Sequence, residues 1–265
     1  MSRESRRVSK ACAVAVWVAV GIGWASHGLA EPPQAAKPKI GPEAKAWQAS
    51  LARGIEYLRR SQAADGSYSA QAGPAVTALV VKAVLQTGQV GPDEPFVAKA
   101  LRYLKGFVQE DGGIYGPESI HRNYESALGL LAFQAANRDG RYAAIVKQAE
   151  AYLKKLQWDE EEGHDRASAY YGGAGYGSKS RPDLSNTQFL MDALAASGVA
   201  ADDPVMQKAL VFVSRCQNLE SEHNTLPFAV KINDGGFYYT PAAGGQSMAG
   251  TTDEGGLRSY GSMTY

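Results

Sequence analysis

One corner recurs along this chain, and it limits what the chain can fold into. Gln109-Glu110-Asp111-Gly112-Gly113-Ile114-Tyr115 follows a helical pattern (Val97, Leu101, Leu104, Val108) and precedes an apolar run from Ala127 to Phe133. Asp-Gly-Gly ends a helix, because glycine is costly inside one and readily takes the positive φ of a tight turn. Gln62-Ala63-Ala64-Asp65-Gly66-Ser67-Tyr68 is a close copy, Asp234-Gly235-Gly236-Phe237-Tyr238 repeats the turn, and Gly172-Gly173-Ala174-Gly175-Tyr176 is a looser version.

Four segments lead into these corners, each ending in an aromatic–aliphatic pair and a glutamine. They are Tyr57-Leu58 with Gln62, Tyr103-Leu104 with Gln109, Tyr152-Leu153 with Gln157, and Phe212-Val213 with Gln217, the aromatic recurring after 46, 49 and 60 residues. Internal repetition at such intervals signals stacked supersecondary units. Each segment has one dry stripe at helical spacing: Trp47, Leu51, Ile55 and Leu58 in the first, Ile145, Ala149, Tyr152 and Leu156 in the third, Val205, Ala209, Phe212 and Cys216 in the fourth. Charge on the other faces marks these as outer helices. The segments after the corners differ. Val76 to Leu85, Ala127 to Phe133 and Phe189 to Ala196 are apolar nearly all round, so they are predicted to be inner helices covered on every side. Thr77, Ser126, Thr187 and Ser262 sit near the start of each inner segment, where a hydroxyl can bond back to a carbonyl of the preceding turn. The expected fold is all-α: helical-hairpin repeats in two concentric rings, an α/α-toroid. Closing such a ring takes about six pairs. Four outer helices, three inner helices and the first turn of a fourth are legible, so an incomplete ring is expected, completed by more sequence or by another chain. Its open apolar edge invites a protein partner or self-association.

The balance of charge gives no sign of a nucleic-acid footprint, since Lys+Arg and Asp+Glu are 27 each. Residues 1–30 have the form of an export signal: Arg3, Arg6, Arg7 and Lys10, then an apolar run from Ala11 to Ala25, then Gly28-Leu29-Ala30. That run is short for a span of about twenty residues, so no stable membrane span is expected after processing, with an uncleaved anchor as the alternative. Ser5-Arg6-Arg7 resembles a twin-arginine signal, but Ser9 replaces the aromatic of that pattern, and the route stays open. The expected location is periplasmic or secreted. Residues 31–42, with four prolines, form a linker, and the repeat domain is expected over 43–265. Processing at Ala30 would remove Cys12 and leave Cys216 alone, which permits neither an intrachain disulfide nor a cysteine zinc site.

The aromatic–Leu–x–x–x–Gln helix end, the Asp-Gly-Gly turn and the aromatic after it resemble the repeat of squalene–hopene cyclases and protein prenyltransferase β-subunits, over about Glu43 to Tyr265. Tyr68, Tyr115, Tyr176 and Tyr238 stand where the cyclase motif usually has tryptophan. The resemblance implies a toroid and supplies two signatures to check. Cyclases use Asp-x-Asp-Asp-Thr at an inner-helix mouth. The matching stretch is Asp183-Leu184-Ser185-Asn186-Thr187, with Ser185 in place of the proton donor. A hydroxyl cannot protonate an alkene. Prenyltransferases hold zinc through Asp, Cys and His, whereas Cys216 lies on an outer helix and His121, His164 and His223 are scattered. No metal and no cofactor are therefore expected.

The inner-helix mouths gather His121, Arg122, Asn123, Tyr124 and Glu125; Tyr170, Tyr171, Tyr176, Arg181 and Asp183; and Asp253, Glu254, Arg258 and Tyr260. Candidate cavity-lining residues are Glu125, Asp183, Asn186, Asp253, Arg122, Tyr124 and Tyr260. Glu125 and Asp183 could form an acid–base pair, or Asp183 could cap its helix. Three functions compete: a binding or interaction module for an apolar, polyprenyl or glycan ligand or a protein partner; a terpenoid cyclase with its acid at Asp253 or beyond Tyr265; and a glycan-active hydrolase or lyase.

Overall fold

A computed structural model describes residues 41, 43–177 and 179–265. The export signal and nearly all of the linker expected from the sequence lie outside the described residues. Glu43–Tyr265 forms one compact unit. Its main elements are α1 (Ala44–Ser61), α2 (Ala75–Gln86), α3 (Pro95–Lys105), α4 (Arg122–Ala136), α5 (Ala143–Lys154), α6 (Leu184–Ser197) and α7 (Pro204–Arg215), then two single-turn helices, α8 (Ala229–Ile232) and α9 (Gly261–Thr264). Extended pairing among the described residues is limited to isolated bridges, so the class is all-α.

The helices form two layers. α4 packs against both α2 and α6, α3 rests on α2 and α4, α5 on α4 and α6, and α7 on α6. Composition explains the division. Every residue from Ser126 to Phe133 on α4 is buried, as an all-apolar helix requires. α3 instead buries one stripe, Val97, Ala100, Leu101 and Leu104, and turns Arg102 and Lys105 outward. Of the seven long helices α1 is the least covered: Ile55 is its one buried residue, and Trp47, Leu51 and Leu58 open onto a groove with Ala83 and Val84 of α2.

The corners share one hydrogen-bonding scheme, and it fixes their register. Short antiparallel bridges join Val108 to Ile114, Gln157 to Ala174 and Gln217 to Phe237. The turn N–H then donates to a hydroxyl on the following inner helix: Tyr68 to Thr77 at 2.9 Å, Ile114 to Ser126 at 3.0 Å, Ala174 to Thr187 at 3.0 Å and Phe237 to Thr264 at 3.1 Å. Three differences from the sequence reading follow. The repeat position in the second corner belongs to Val108, which keeps the spacing from Leu104 that Gln62 keeps from Leu58; Gln109 stands one residue later and donates to the Tyr115 carbonyl instead. In the fourth unit the hydroxyl is Thr264 rather than Ser262. Besides accepting from the turn N–H, Thr77 and Thr187 donate back to the turn carbonyls of Tyr68 and Ala174 at 3.4 Å, as expected from the sequence. The tyrosines also shift: Tyr68 aligns with Ile114, Ala174 and Phe237, not with Tyr115, Tyr176 and Tyr238.

The first and third corners also grip the next outer helix. Gln62 Nε2 donates to Gly66 O (3.0 Å) and to Phe96 O on α3 (2.7 Å), and Gln157 Nε2 donates to Gly172 O (3.0 Å) and to Val205 O on α7 (2.8 Å). Gln217 Nε2 reaches only Gly235 O, at 2.8 Å. An unmade bond to a buried carbonyl costs about 1–3 kcal/mol. Gln157→Ala should therefore cost about 2 kcal/mol and Gln217→Ala about 1 kcal/mol. Urea unfolding of the two variants checks the ranking, and equal losses would contradict the double grip at Gln157.

Candidate functional site

The starts of α2, α4 and α6 meet around a cleft of about 380 Å³ lined by Ala72, Ala75, Val76, His121, Tyr124, Glu125, Tyr176, Ser185 and Phe189. Tyr124 and Phe189 meet edge to face at 4.9 Å, and so do His121 and Tyr176. Burial pushes the Tyr124 phenol above its ordinary range, keeping it a neutral donor. The walls are thus aromatic and apolar, with a hydroxyl on α6 and a carboxylate on α4.

Glu125 is 4% exposed and sits in the first turn of α4, where the helix end favours negative charge. Its Oε2 accepts from the Gly116 N–H at 2.9 Å. A side chain at residue 73 would lie 2.6 Å from its Oε1, so Gly73, at φ +74, leaves the room the carboxylate occupies. Beside it, Asn123 Nδ2 donates to Gly175 O at 2.8 Å, while Asn123 Oδ1 and Asn186 Oδ1 are buried without a donor.

Asp183 serves its own helix. It is 2% exposed, its Oδ1 accepts from the Asn186 N–H (2.9 Å), and its Oδ2 accepts from Asn186 Nδ2 (2.8 Å). This is the capping role weighed in the sequence, completed by an asparagine side chain. The segment around Tyr239 covers it, since the Leu184 N–H donates to Tyr239 O at 2.8 Å and Thr240 Oγ1 to Pro182 O at 2.7 Å. Burial pushes the Asp183 carboxyl above the ordinary aspartate range, against the opposing pull of the Asn186 bonds. A folded-state pKa above the unfolded one means the folded protein binds the proton more tightly. That contribution is fully present below the unfolded pKa and is lost as pH rises through the folded pKa. The stability of wild type relative to Asp183→Asn should therefore fall as pH rises from the ordinary aspartate range through the raised folded value, then level off. Paired urea titrations across acidic pH check this, and a pH-independent difference would contradict it.

The other candidates are dispersed. The Arg122 guanidinium lies over the Tyr115 ring at 4.9 Å and donates to Ser119 O. Asn186 is buried beside Asp183. Asp253 is exposed in a turn closed by the Thr251–Leu257 bridge, and Tyr260 precedes α9, with its N–H on Phe237 O. Of the seven candidates, Tyr124 and Glu125 line the cleft. The reading from sequence left Phe189 and Ser185 out of the candidates. Phe189 lay inside a run taken to be uniformly buried, although one face of α6 borders the cleft. Its signal was a single large aromatic near the mouth of an otherwise aliphatic helix.

His164 stacks on Tyr170 at 4.7 Å, Asp165 accepts from the Ala167 N–H, and buried Cys216 has its thiol pushed up by desolvation. Among the described residues no group of three or more His, Cys, Asp and Glu is placed to hold a metal. No helix among them is long and apolar enough to cross a membrane. No family model matches the chain, and no curated protein matches it either.

Proposed function

We propose that residues 43–265 are a repeat domain of the terpenoid-cyclase and prenyltransferase α/α-toroid type, exported, that binds a ligand in the cleft at the inner-helix mouths without turning it over. The observation that carries this reading is Ser185. It borders the cleft at the place where the resemblance puts the proton donor, and it offers a hydroxyl there. Asp183, the acid left in that stretch, is spent on its own helix and lines no part of the cleft. The curl of a toroid is supported by an inner helix, α4, covered along its length between α2 and α6, by outer helices that bury one stripe, and by the first and third corners, which grip the next outer helix.

The test has two arms. Incubation of the full chain with squalene and with polyprenyl diphosphates should yield no new product, and turnover would contradict the binding reading. Phe189→Ala should weaken a ligand seated in the cleft by at least about tenfold, since burying one large apolar side chain is worth about 1.5–3 kcal/mol. Unchanged affinity, measured by calorimetry, would move the site elsewhere.

A further inference from the structure

We propose that the cleft takes an alkylated ammonium ion, its charge beside Glu125 and its alkyl groups against Tyr124, Tyr176 and Phe189. This rests on the cleft being the ligand site. The argument starts from charge. The Glu125 carboxylate is nine-tenths or more buried and makes no ion pair among the described residues. Only its Oε2 accepts a hydrogen bond from them, and that comes from a backbone N–H. A buried carboxylate without a cationic partner is costly, and here the remaining side is the cleft.

The lining selects the kind of cation. No second carboxylate borders the cleft, so a divalent metal ion has too few hard ligands. Neither arginine nor lysine borders it, and the one basic side chain that does, His121, packs its ring edge to face on Tyr176, which leaves an anionic headgroup without a fixed positive charge. Tyrosine and phenylalanine rings attract cations through their faces, most strongly where water is excluded. Ala72, Ala75 and Val76 add aliphatic wall, which a bare ammonium would leave unfilled and methyl or larger alkyl groups would cover. The orphaned oxygens of Asn123 and Asn186, near the starts of α4 and α6, add to an excess of acceptors at this end of the inner layer.

The probe is choline chloride, titrated into the full chain at constant ionic strength and followed by calorimetry and by the ring-proton shifts of Tyr124 and Tyr176. Its neutral isostere, 3,3-dimethylbutan-1-ol, is titrated alongside. Choline should bind at least about tenfold more tightly than the alcohol. Glu125→Gln should erase that preference while leaving the alcohol's affinity unchanged. Equal binding of the two probes to wild type, which needs no variant, would overturn the cation assignment. So would choline binding undiminished in a folded Glu125→Gln. In both cases, shifts at Tyr124 and Tyr176 would still support a ligand site in the cleft. Absence of any shift from either probe would remove both readings.

Discussion

Gly172→Ala should cost about 4 kcal/mol or more and leave little folded protein, while Gly235→Ala costs about 1 kcal/mol. The two glycines occupy the same corner position, with φ +81 and φ +72, so the cost of a left-handed backbone is common to both. Their surroundings differ. A Cβ on Gly172 would overlap the backbone oxygen of Lys208 on α7, which a rigid helix cannot yield cheaply. The same atom on Gly66 or Gly112 would meet the backbone oxygens of Lys99 on α3 or Gln148 on α5, at 2.6 and 2.7 Å. On Gly235 it meets nothing within 4 Å, because no further outer helix among the described residues lies against that corner. Urea midpoints of the two variants give the comparison. Equal losses would mean that the corner is held by its own turn and not by helix contact.

A charge on the inner layer should be as damaging. Leu130 on α4 is fully buried, with buried neighbours on both sides of it in sequence, so Leu130→Asp has no face on which to reach water. An unpaired buried carboxylate costs several kcal/mol, and Leu130→Asp should lower stability by more than about 4 kcal/mol. Leu210 on α7 is 43% exposed, on the outward side of an outer helix. Leu210→Asp should stay within about 0.5 kcal/mol of wild type. Circular dichroism on heating separates the two outcomes, and a tolerated Leu130→Asp would mean that α4 has a wet face.

The division into inner and outer helices was legible in part because it depends on periodicity, and periodicity survives without coordinates; α2 and α6, expected to be covered on every side, expose Leu79 and Ala83 and Asp192, Ala195 and Ala196. The dry stripe of α7 and the unbroken run on α4 each buried what their spacing required. Register was less legible. Glutamine at the corner looked like the recurring element of the pattern, yet Val108 takes that place in the second unit, where the position is used for backbone pairing with Ile114 and not for a side-chain bond. Any residue can supply that pairing, so side-chain identity was a misleading guide at this corner, though not at Gln62 or Gln157. Ser262 and Thr264 are two residues apart on a short helix, and only the position of the Phe237 N–H chooses between them.

The cleft was half legible. Tyr124 and Glu125 follow from their place in the first turn of α4. Asp183 shows the limit of reading by residue type. A carboxylate at a helix mouth can be an acid or a cap, and a distant segment around Tyr239 covers it here. Sequence separation hid that contact. Phe189 was hidden for the opposite reason, since an apolar residue in an apolar helix gives no sign of which side faces a cavity.

The most direct test of the curling two-layer stack is a pair of spin-label distances by pulsed electron resonance. Arg102→Cys with Leu210→Cys reports two steps along the outer layer, from α3 to α7, and Gln86→Cys with Ala196→Cys reports two steps along the inner layer, from α2 to α6. All four sites are exposed, and Cys216, fully buried, is shielded from the label. A toroid requires the outer distance to exceed the inner one. Equal distances would mean a straight stack and would contradict the proposed architecture.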